Sequence, residues 1–187
     1  STPASGATTE SVGTPSDVRG NLMSRSFMAL LVTPFLGAMN DNIFRWIAVP
    51  LAKRFVDDGD EALVLTAGSV CLVVPFILFA PYAGFLADRF SKRKVIVGCK
   101  VAEVVIMLLG AAALYVGNIY LLFAIIALMG TQSALFSPSK LGLIPEIVRG
   151  EKISGANGLV GLTTVIAVVV GSVLGNLMFA WYLDPQD

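Results

Sequence analysis

Five long apolar runs, separated by short polar segments, dominate the pattern of the chain. They cover residues 27–51, 63–87, 95–115, 119–136 and 158–183. At about 1.5 Å per residue in a helix, runs of this length can cross a hydrocarbon core of about 30 Å. In lipid every backbone polar group must be satisfied within the protein, which favours helices. The pattern therefore predicts an all-α integral membrane helix bundle with five transmembrane helices.

The composition agrees with this class and excludes several kinds of chemistry. Of the 187 residues, 56% are hydrophobic and only 14% are charged, whereas a soluble domain carries about 25% charged residues. The chain has no histidine, and its two cysteines, Cys71 and Cys99, both fall inside apolar runs. Histidine-dependent nucleophilic and zinc chemistry are therefore excluded. We expect no enzyme activity, no metal and no cofactor, and the net charge of zero gives no reason to expect a nucleic-acid partner.

The amino-terminal segment differs from the rest of the chain. Residues 1–22 are rich in Ser, Thr, Pro and Gly and have few bulky apolar side chains. Such a segment cannot bury enough surface to offset its ordering entropy. We predict a disordered cytoplasmic tail at 1–22 and a partial helix bundle at 23–187.

Basic residues crowd onto one side of the predicted bundle. If the five runs alternate in direction, nine of the thirteen Lys and Arg residues fall on the side of the amino terminus. The opposite side has Lys53 and Arg54, which four acids outnumber, and the uncharged turn at 117–118. Short cytoplasmic loops of membrane proteins carry an excess of Lys and Arg. We therefore predict a cytoplasmic amino terminus and place residues 184–187 outside.

A polar cluster interrupts the middle of the first run. It consists of Asn40, Asp41 and Asn42, with Arg45 one helical turn after the acid. A charged group at the bilayer centre costs about 2.5 to 3.5 kcal/mol on insertion scales and marks function by default. Because Asp41 and Arg45 share a helix face at a spacing of four residues, we expect Arg45 to neutralise Asp41.

A second pair of charges lies in the third run. Lys100 and Glu103 are three residues apart, so they also share a face. Two interpretations stay open for the charges of both runs. They form internal salt bridges that stabilise the bundle, or they line a cavity that binds a charged headgroup or gates helix motion. We favour the second, because Asn40 and Asn42 add neutral hydrogen-bonding groups to the same turn as Asp41. Lys100 has the further alternative of extending to the cytoplasmic surface.

Smaller signals mark the fourth and fifth runs. A lone Gln132 is expected to form a hydrogen bond between helices. The pair Gly171 and Gly175 predicts close helix packing, with a hinge as the alternative. We expect the sequence Ser-Pro-Ser-Lys at 137–140 to end the fourth helix.

The densest cationic cluster, at 84–94, carries a recognisable motif. It resembles the loop between the second and third helices of major facilitator superfamily transporters. The glycine, the acid and the basic residues of that signature are Gly84, Asp88, Arg89, Arg93 and Lys94. Ser91 departs from the Gly usual at its position. The resemblance implies that the five helices belong to the amino-terminal half of such a transporter, and that the loop acts in its conformational change.

Three further stretches narrow the resemblance. Residues 35–42, 79–84 and 136–142 are similar to segments of the bacterial lysophospholipid transporter family. The family implies a flippase that carries lysophosphatidylethanolamine or lysophosphatidylglycerol across the bacterial inner membrane by alternating access. Asp41 matches the acid of its first helix, and Asn42 that acid's neighbour. The resemblance also implies that Asp88 helps to hold two transporter halves together.

The resemblance implies partners beyond the chain itself. They are the lipid bilayer, the lysophospholipid, a missing carboxy-terminal half and, in fused family members, an acyltransferase. Five helices are an uneven number for a transporter, so we expect this chain to be a piece of a longer protein. The alternatives are a permease for another small molecule, the membrane part of an acyltransferase whose active site lies beyond residue 187, and a purely structural role. The sequence gives neither the coupling ion nor the oligomeric state.

Overall fold

The computed structural model describes residues 24–55, 60–148 and 150–183. These residues form five long helices, in chain order α1 (Arg25–Lys53), α2 (Glu61–Arg89), α3 (Lys92–Val116), α4 (Ile119–Ile147) and α5 (Ile153–Met178). A 3₁₀ turn, Gly150–Lys152, precedes α5, and a π-helical turn, Phe179–Leu183, follows it. Each long helix has the length and apolar composition needed to span a bilayer. The all-α bundle of five membrane helices is therefore confirmed, whereas the predicted tail at 1–22 lies outside the described residues.

Polar caps define where two of the helices begin. The Ser24 hydroxyl accepts a hydrogen bond from the backbone N–H of Phe27 at 3.2 Å, which caps α1. The side chain of Asn118 accepts from the first backbone N–H groups of α4. Such caps satisfy donors that have no partner within the helix. Gly117 ends α3 with a φ of +67°, a left-handed conformation that glycine adopts without strain. The turn that connects α3 to α4 therefore consists of residues 117–118 alone.

The expected end of the fourth helix at 137–140 is wrong, because α4 continues to Ile147. Pro138 lacks an N–H and removes one helical hydrogen bond, but membrane helices tolerate proline where neighbouring helices cover the gap. Ser139 and Ile144 are fully buried on the continuing helix, so packing holds this segment in place. The fifth helix also starts earlier than predicted, at Ile153. As a result, Lys140 lies on a helix inside the bundle and not in a loop.

Helix α4 is the central element of the bundle and contacts α1, α2 and α3, while α1 packs mainly on α5. Two apolar clusters hold the helices together at opposite ends. The cluster near the carboxyl end of α1 includes Phe44, Ala48, Leu122 and Ile126. The cluster near its amino end includes Phe27, Leu30, Ile144, Ala156 and Val160. The polar residues of the middle of α1 therefore lie between two apolar cores.

Glycine allows α5 to approach α1 closely. A Cβ added at Gly175 would lie 2.7 Å from the carbonyl oxygen of Ile43, and one added at Gly171 would overlap the carbonyl oxygen of Met39. Real Cβ atoms do not approach a backbone this closely, so both positions require glycine. The prediction that this glycine pair mediates close helix packing is confirmed.

Candidate functional site

A charged pair on α3 and an amide on α4 form one polar cluster in the middle of the bundle. Lys100 Nζ lies 2.5 Å from Glu103 Oε2, and the two side chains are only 25% and 14% exposed. Gln132 Nε2 donates to the same carboxylate oxygen at 3.3 Å and to the carbonyl oxygen of Cys99 at 3.1 Å. The structure confirms both the pairing within α3 and the expected hydrogen bond from Gln132 to another helix. The pairing keeps Lys100 in the bundle interior.

Asp41 contacts α4 and does not pair with Arg45, as the sequence suggested it would. Its Oδ2 accepts a hydrogen bond from the Ser133 hydroxyl at 3.3 Å. Arg45 Nη2 instead donates to Asn42 Oδ1 at 2.7 Å, and Asn42 Nδ2 donates to the carbonyl oxygen of Ala38. Within the described ranges no Asp41–Arg45 ion pair forms, so the expected pairing is wrong. Asn42 is buried and its carbonyl oxygen needs a donor, which the guanidinium one turn away supplies.

Asn40 takes no part in this network. The side chain is half-buried, and the hydrogen bonds found among the described residues do not include it. It also lines neither of the two cavities around Asp41. Of the three consecutive polar residues, the structure therefore brings only Asp41 and Asn42 to the candidate site.

Two cavities meet at Asp41. The cavity toward the amino end of α1, called the inner cavity, has a volume of about 190 Å³. It is lined by Pro34, Gly37, Ala38, Asp41, Phe76, Lys100, Glu103, Gln132, Ser133, Phe136, Ser137, Lys140 and Thr164. The cavity toward the carboxyl end of α1, called the outer cavity, has a volume of about 330 Å³. It is lined by Ala38, Asp41, Asn42, Arg45, Leu72, Val73, Phe76, Ile126, Met129, Gly130 and Ser133. Both have Ala38, Asp41, Phe76 and Ser133 in their walls. Among the acids in the described part of the chain, Asp41 alone lines both cavities.

Gly37 gives the α3 ion pair room to reach α1. A Cβ at this position would lie 2.5 Å from Lys100 Nζ and 3.0 Å from Glu103 Oε1. Any larger residue would push the charged pair away from the first helix. Gly37 precedes Asp41 by four residues, so Glu103 lies about one helical turn from the level of Asp41.

Lys140 joins the site through the aromatic ring of Phe136. Lys100 Nζ lies 4.9 Å from the ring centroid and Lys140 Nζ lies 6.0 Å from it, both within cation–π distance. Neither Ser133 nor Lys140 was among the predicted site residues. The missed signal was their spacing. Once α4 is continued through Pro138, Ser133, Phe136 and Lys140 lie three and four residues apart on one helix face.

The two cavities together have an excess of positive charge. Their charged wall residues are the cations Arg45, Lys100 and Lys140 and the anions Asp41 and Glu103. Most of the remaining wall is apolar. Such a site can bind an anionic oxygen through charge-assisted hydrogen bonds and place an apolar group beside it. In the part of the chain that the structure describes, no group of His, Cys, Asp and Glu could hold a metal ion.

The cationic motif at 84–94 lies mostly on helices and not in a loop, because α2 continues to Arg89 and α3 begins at Lys92. Its residues line neither of the two cavities at Asp41. Asp88, Arg89, Arg93 and Lys94 are exposed, and Gly84 is half-buried in α2. The guanidinium of Arg89 lies over the ring of Phe85, 5.7 Å from its centroid.

Lys92, which the motif does not include, ties this end of α3 to α4. Its Nζ donates to the carbonyl oxygen of Gly142 at 2.9 Å and pairs with the Glu146 carboxylate. The start of α3 is thus held against the carboxyl end of α4, a few residues after Lys140.

Comparison with known proteins agrees with a bundle of membrane-spanning helices. The model of the Major Facilitator Superfamily matches residues 30–183, and the chain belongs to this family. It is therefore a multi-pass membrane protein.

Individual relatives of the chain carry a more specific name than that of the superfamily. The lysophospholipid transporter LplT of Cronobacter sakazakii is 32% identical over 168 residues, which are 88% of this chain and 39% of that protein. The LplT of Photorhabdus laumondii is 34% identical over 163 residues, 87% of this chain and 38% of that protein. The chain thus spans about two fifths of the length of these relatives. No solved structure matches it.

Proposed function

We propose that this chain is the amino-terminal helix bundle of a transporter that moves lysophospholipid across the bacterial inner membrane. The central observation is the cluster of three cations and two anions that lines the two cavities between apolar cores. The names of the relatives support the substrate class. The length of those relatives supports a second bundle that completes the transporter.

The charges of the cluster suit the headgroup of lysophosphatidylethanolamine or lysophosphatidylglycerol. The phosphate is an anion that Lys100, Lys140 and Arg45 can bind through charge-assisted hydrogen bonds. Asp41 is the acid that the ammonium of an ethanolamine headgroup would approach. Glu103 already pairs with Lys100 at 2.5 Å and holds that lysine in place. Among the described residues, neither Lys140 nor Arg45 forms an ion pair with a carboxylate.

The single acyl chain of the substrate needs an apolar path. Helix α2 has a long row of exposed apolar side chains, among them Val73, Phe76, Ile77 and Phe79. Val73 and Phe76 also line the outer cavity. A headgroup in the cavity could therefore keep its chain along α2 while it moves between leaflets. Alternating access by two bundles would carry the headgroup past Asp41, which faces both cavities.

The orientation is part of the same proposal. With the amino terminus in the cytoplasm, the inner cavity and Lys140 lie in the cytoplasmic half of the bilayer, and Arg45 lies in the outer half. The exposed Asp88, Arg89, Arg93 and Lys94 then lie at the cytoplasmic surface, where they are available to the second bundle. Their role is to stabilise one state of the transporter.

A substrate panel tests the proposal. The full-length protein is reconstituted in liposomes, radiolabelled lysophosphatidylethanolamine or lysophosphatidylglycerol is added outside, and the fraction that albumin cannot extract is followed in time. We expect protein-dependent protection of both lysolipids. Glycerophosphoethanolamine, which has the headgroup without the chain, should not enter. Lysolipid movement equal to that of protein-free liposomes would refute the proposal, and preferential uptake of a sugar or a cationic drug would favour another permease of the superfamily.

A further inference from the structure

A third cavity opens between α1 and α2, at the end of the bundle where α1 ends and α2 begins. This α1–α2 crevice has a volume of about 370 Å³ and is lined by Arg45, Trp46, Val49, Pro50, Lys53, Leu65, Gly68 and Ser69. In the proposed orientation it lies in the outer half of the bilayer. Asp41, Lys100, Glu103 and Lys140 do not line it, so it is separate from the inner cavity.

Two cations lie along the crevice at different depths. Arg45 and Lys53 are eight residues apart on one helix, which is about 12 Å along its axis. Lys53 Nζ pairs with Glu61 Oε2 at 2.8 Å, but the side chains are 29% and 59% exposed. An ion pair this exposed contributes little. Lys53 can therefore exchange the Glu61 carboxylate for another anion at small cost.

Arg45 connects the crevice to the candidate site. Of the residues that the structure describes, it alone lines both the α1–α2 crevice and the outer cavity. Its Nη2 donates to Asn42, which fixes the guanidinium at this boundary and uses one of its five N–H donors. The other donors stay available to an anion arriving from the crevice.

The remaining walls are suited to an alkyl chain. Trp46 and Leu65 are exposed apolar side chains. Val49 packs against Gly68, where an added Cβ would lie 3.0 Å from Val49 Cγ2. An indole with one edge in lipid and the other near headgroups is typical of the membrane interface. Cations at two depths beside an apolar wall match an amphiphile with an anionic head and one chain.

We propose that the α1–α2 crevice is an entry site for a single-chain amphiphile with a phosphate headgroup, which Lys53 binds first and Arg45 then receives. This inference rests on the proposed function and extends it to the path by which the substrate arrives from the outer leaflet. The chemistry recognised is a phosphate together with an acyl chain.

Photo-cross-linking tests the entry site directly. The full-length protein in nanodiscs carries p-benzoylphenylalanine in place of Leu65, which lines the crevice, or of Leu63, which is exposed on the same helix outside it. Each variant is irradiated with radiolabelled lysophosphatidylglycerol. We expect strong labelling at position 65 and background labelling at position 63. Lys53→Gln should lower the labelling at 65 about ten-fold, as loss of a charge-assisted hydrogen bond does, and Lys53→Arg should retain it.

Competition identifies what the crevice recognises. Unlabelled lysophosphatidylglycerol should abolish the labelling, whereas monoacylglycerol, which lacks phosphate, and inorganic phosphate, which lacks a chain, should not. Equal labelling at 63 and 65, no effect of Lys53→Gln, or full competition by inorganic phosphate would each overturn the entry site. If these results accompany normal lysolipid transport, the entry site fails alone. Specific labelling without transport would instead refute the proposed function.

Discussion

The full-length protein with Asp41→Asn is expected to move lysophospholipid at least about ten-fold more slowly than the wild type. Hydrogen bonds to charged groups contribute about 1.5 to 3 kcal/mol, and a ten-fold change in rate corresponds to about 1.4 kcal/mol. Asp41 faces both cavities and accepts a hydrogen bond from Ser133. Without its charge, the walls retain three cations against Glu103 alone, so the headgroup should be held too tightly or in the wrong place. The initial rate of lysolipid protection in proteoliposomes measures the effect.

The matched control for this variant is Asp60→Asn. Asp60 is exposed just before α2, and its side chain makes no capping hydrogen bond. The same loss of charge there should leave the rate within about two-fold of the wild type, because surface substitutions have small effects. An Asp41→Ala protein that moves lysolipid into spheroplasts at the wild-type rate would contradict a role for Asp41 in transport.

Gly171→Leu is expected to prevent normal packing of the bundle. A Cβ at Gly171 would overlap the carbonyl oxygen of Met39 and lie 3.0 Å from the Asn42 Cβ. Overpacking of a core costs about 1 to 3 kcal/mol and occasionally more, and a backbone atom cannot move aside as a side chain can. The larger residue should separate α5 from α1 and also displace Asn42, the hydrogen-bond partner of Arg45. We expect a large loss of monodisperse protein and a lower melting temperature in detergent.

Gly161→Leu is the control for this prediction. Gly161 lies on the same helix ten residues earlier, and nothing lies within 4 Å of a Cβ built there. The substitution adds the same apolar side chain without a clash. Equal melting temperatures for the two variants would show that the α1–α5 contact is not as close as described.

The sequence was sufficient for those features that depend on local periodicity. The five helices follow from the length of the apolar runs, and the Lys100–Glu103 pair from a spacing of three residues on one helix. The Gly171 and Gly175 pair likewise shows on one face of α5. In each case the residues that interact, or that share a face, belong to a single helix, so their distances are fixed by helix geometry alone.

The features that the sequence did not predict depend on contacts between helices. Pro138 is a local signal to stop a helix, but burial of Ser139 and Ile144 carries α4 past it. The contact of Ser133 with Asp41 joins residues 92 positions apart. Arg45 has two possible acceptors within one helical turn, the side chains of Asp41 and Asn42. It donates to Asn42 because the amide oxygen of that residue is buried and needs a donor.

The most direct test of the central claim is the position of a bound headgroup. A cryo-electron microscopy structure of the full-length protein in nanodiscs with lysophosphatidylglycerol would show it. We predict phosphate density within hydrogen-bond distance of at least one of Lys100, Lys140 and Arg45, with the acyl chain along α2. Phosphate density away from all three cations, in a protein that transports the lipid, would contradict the claim that this charged cluster is the substrate site.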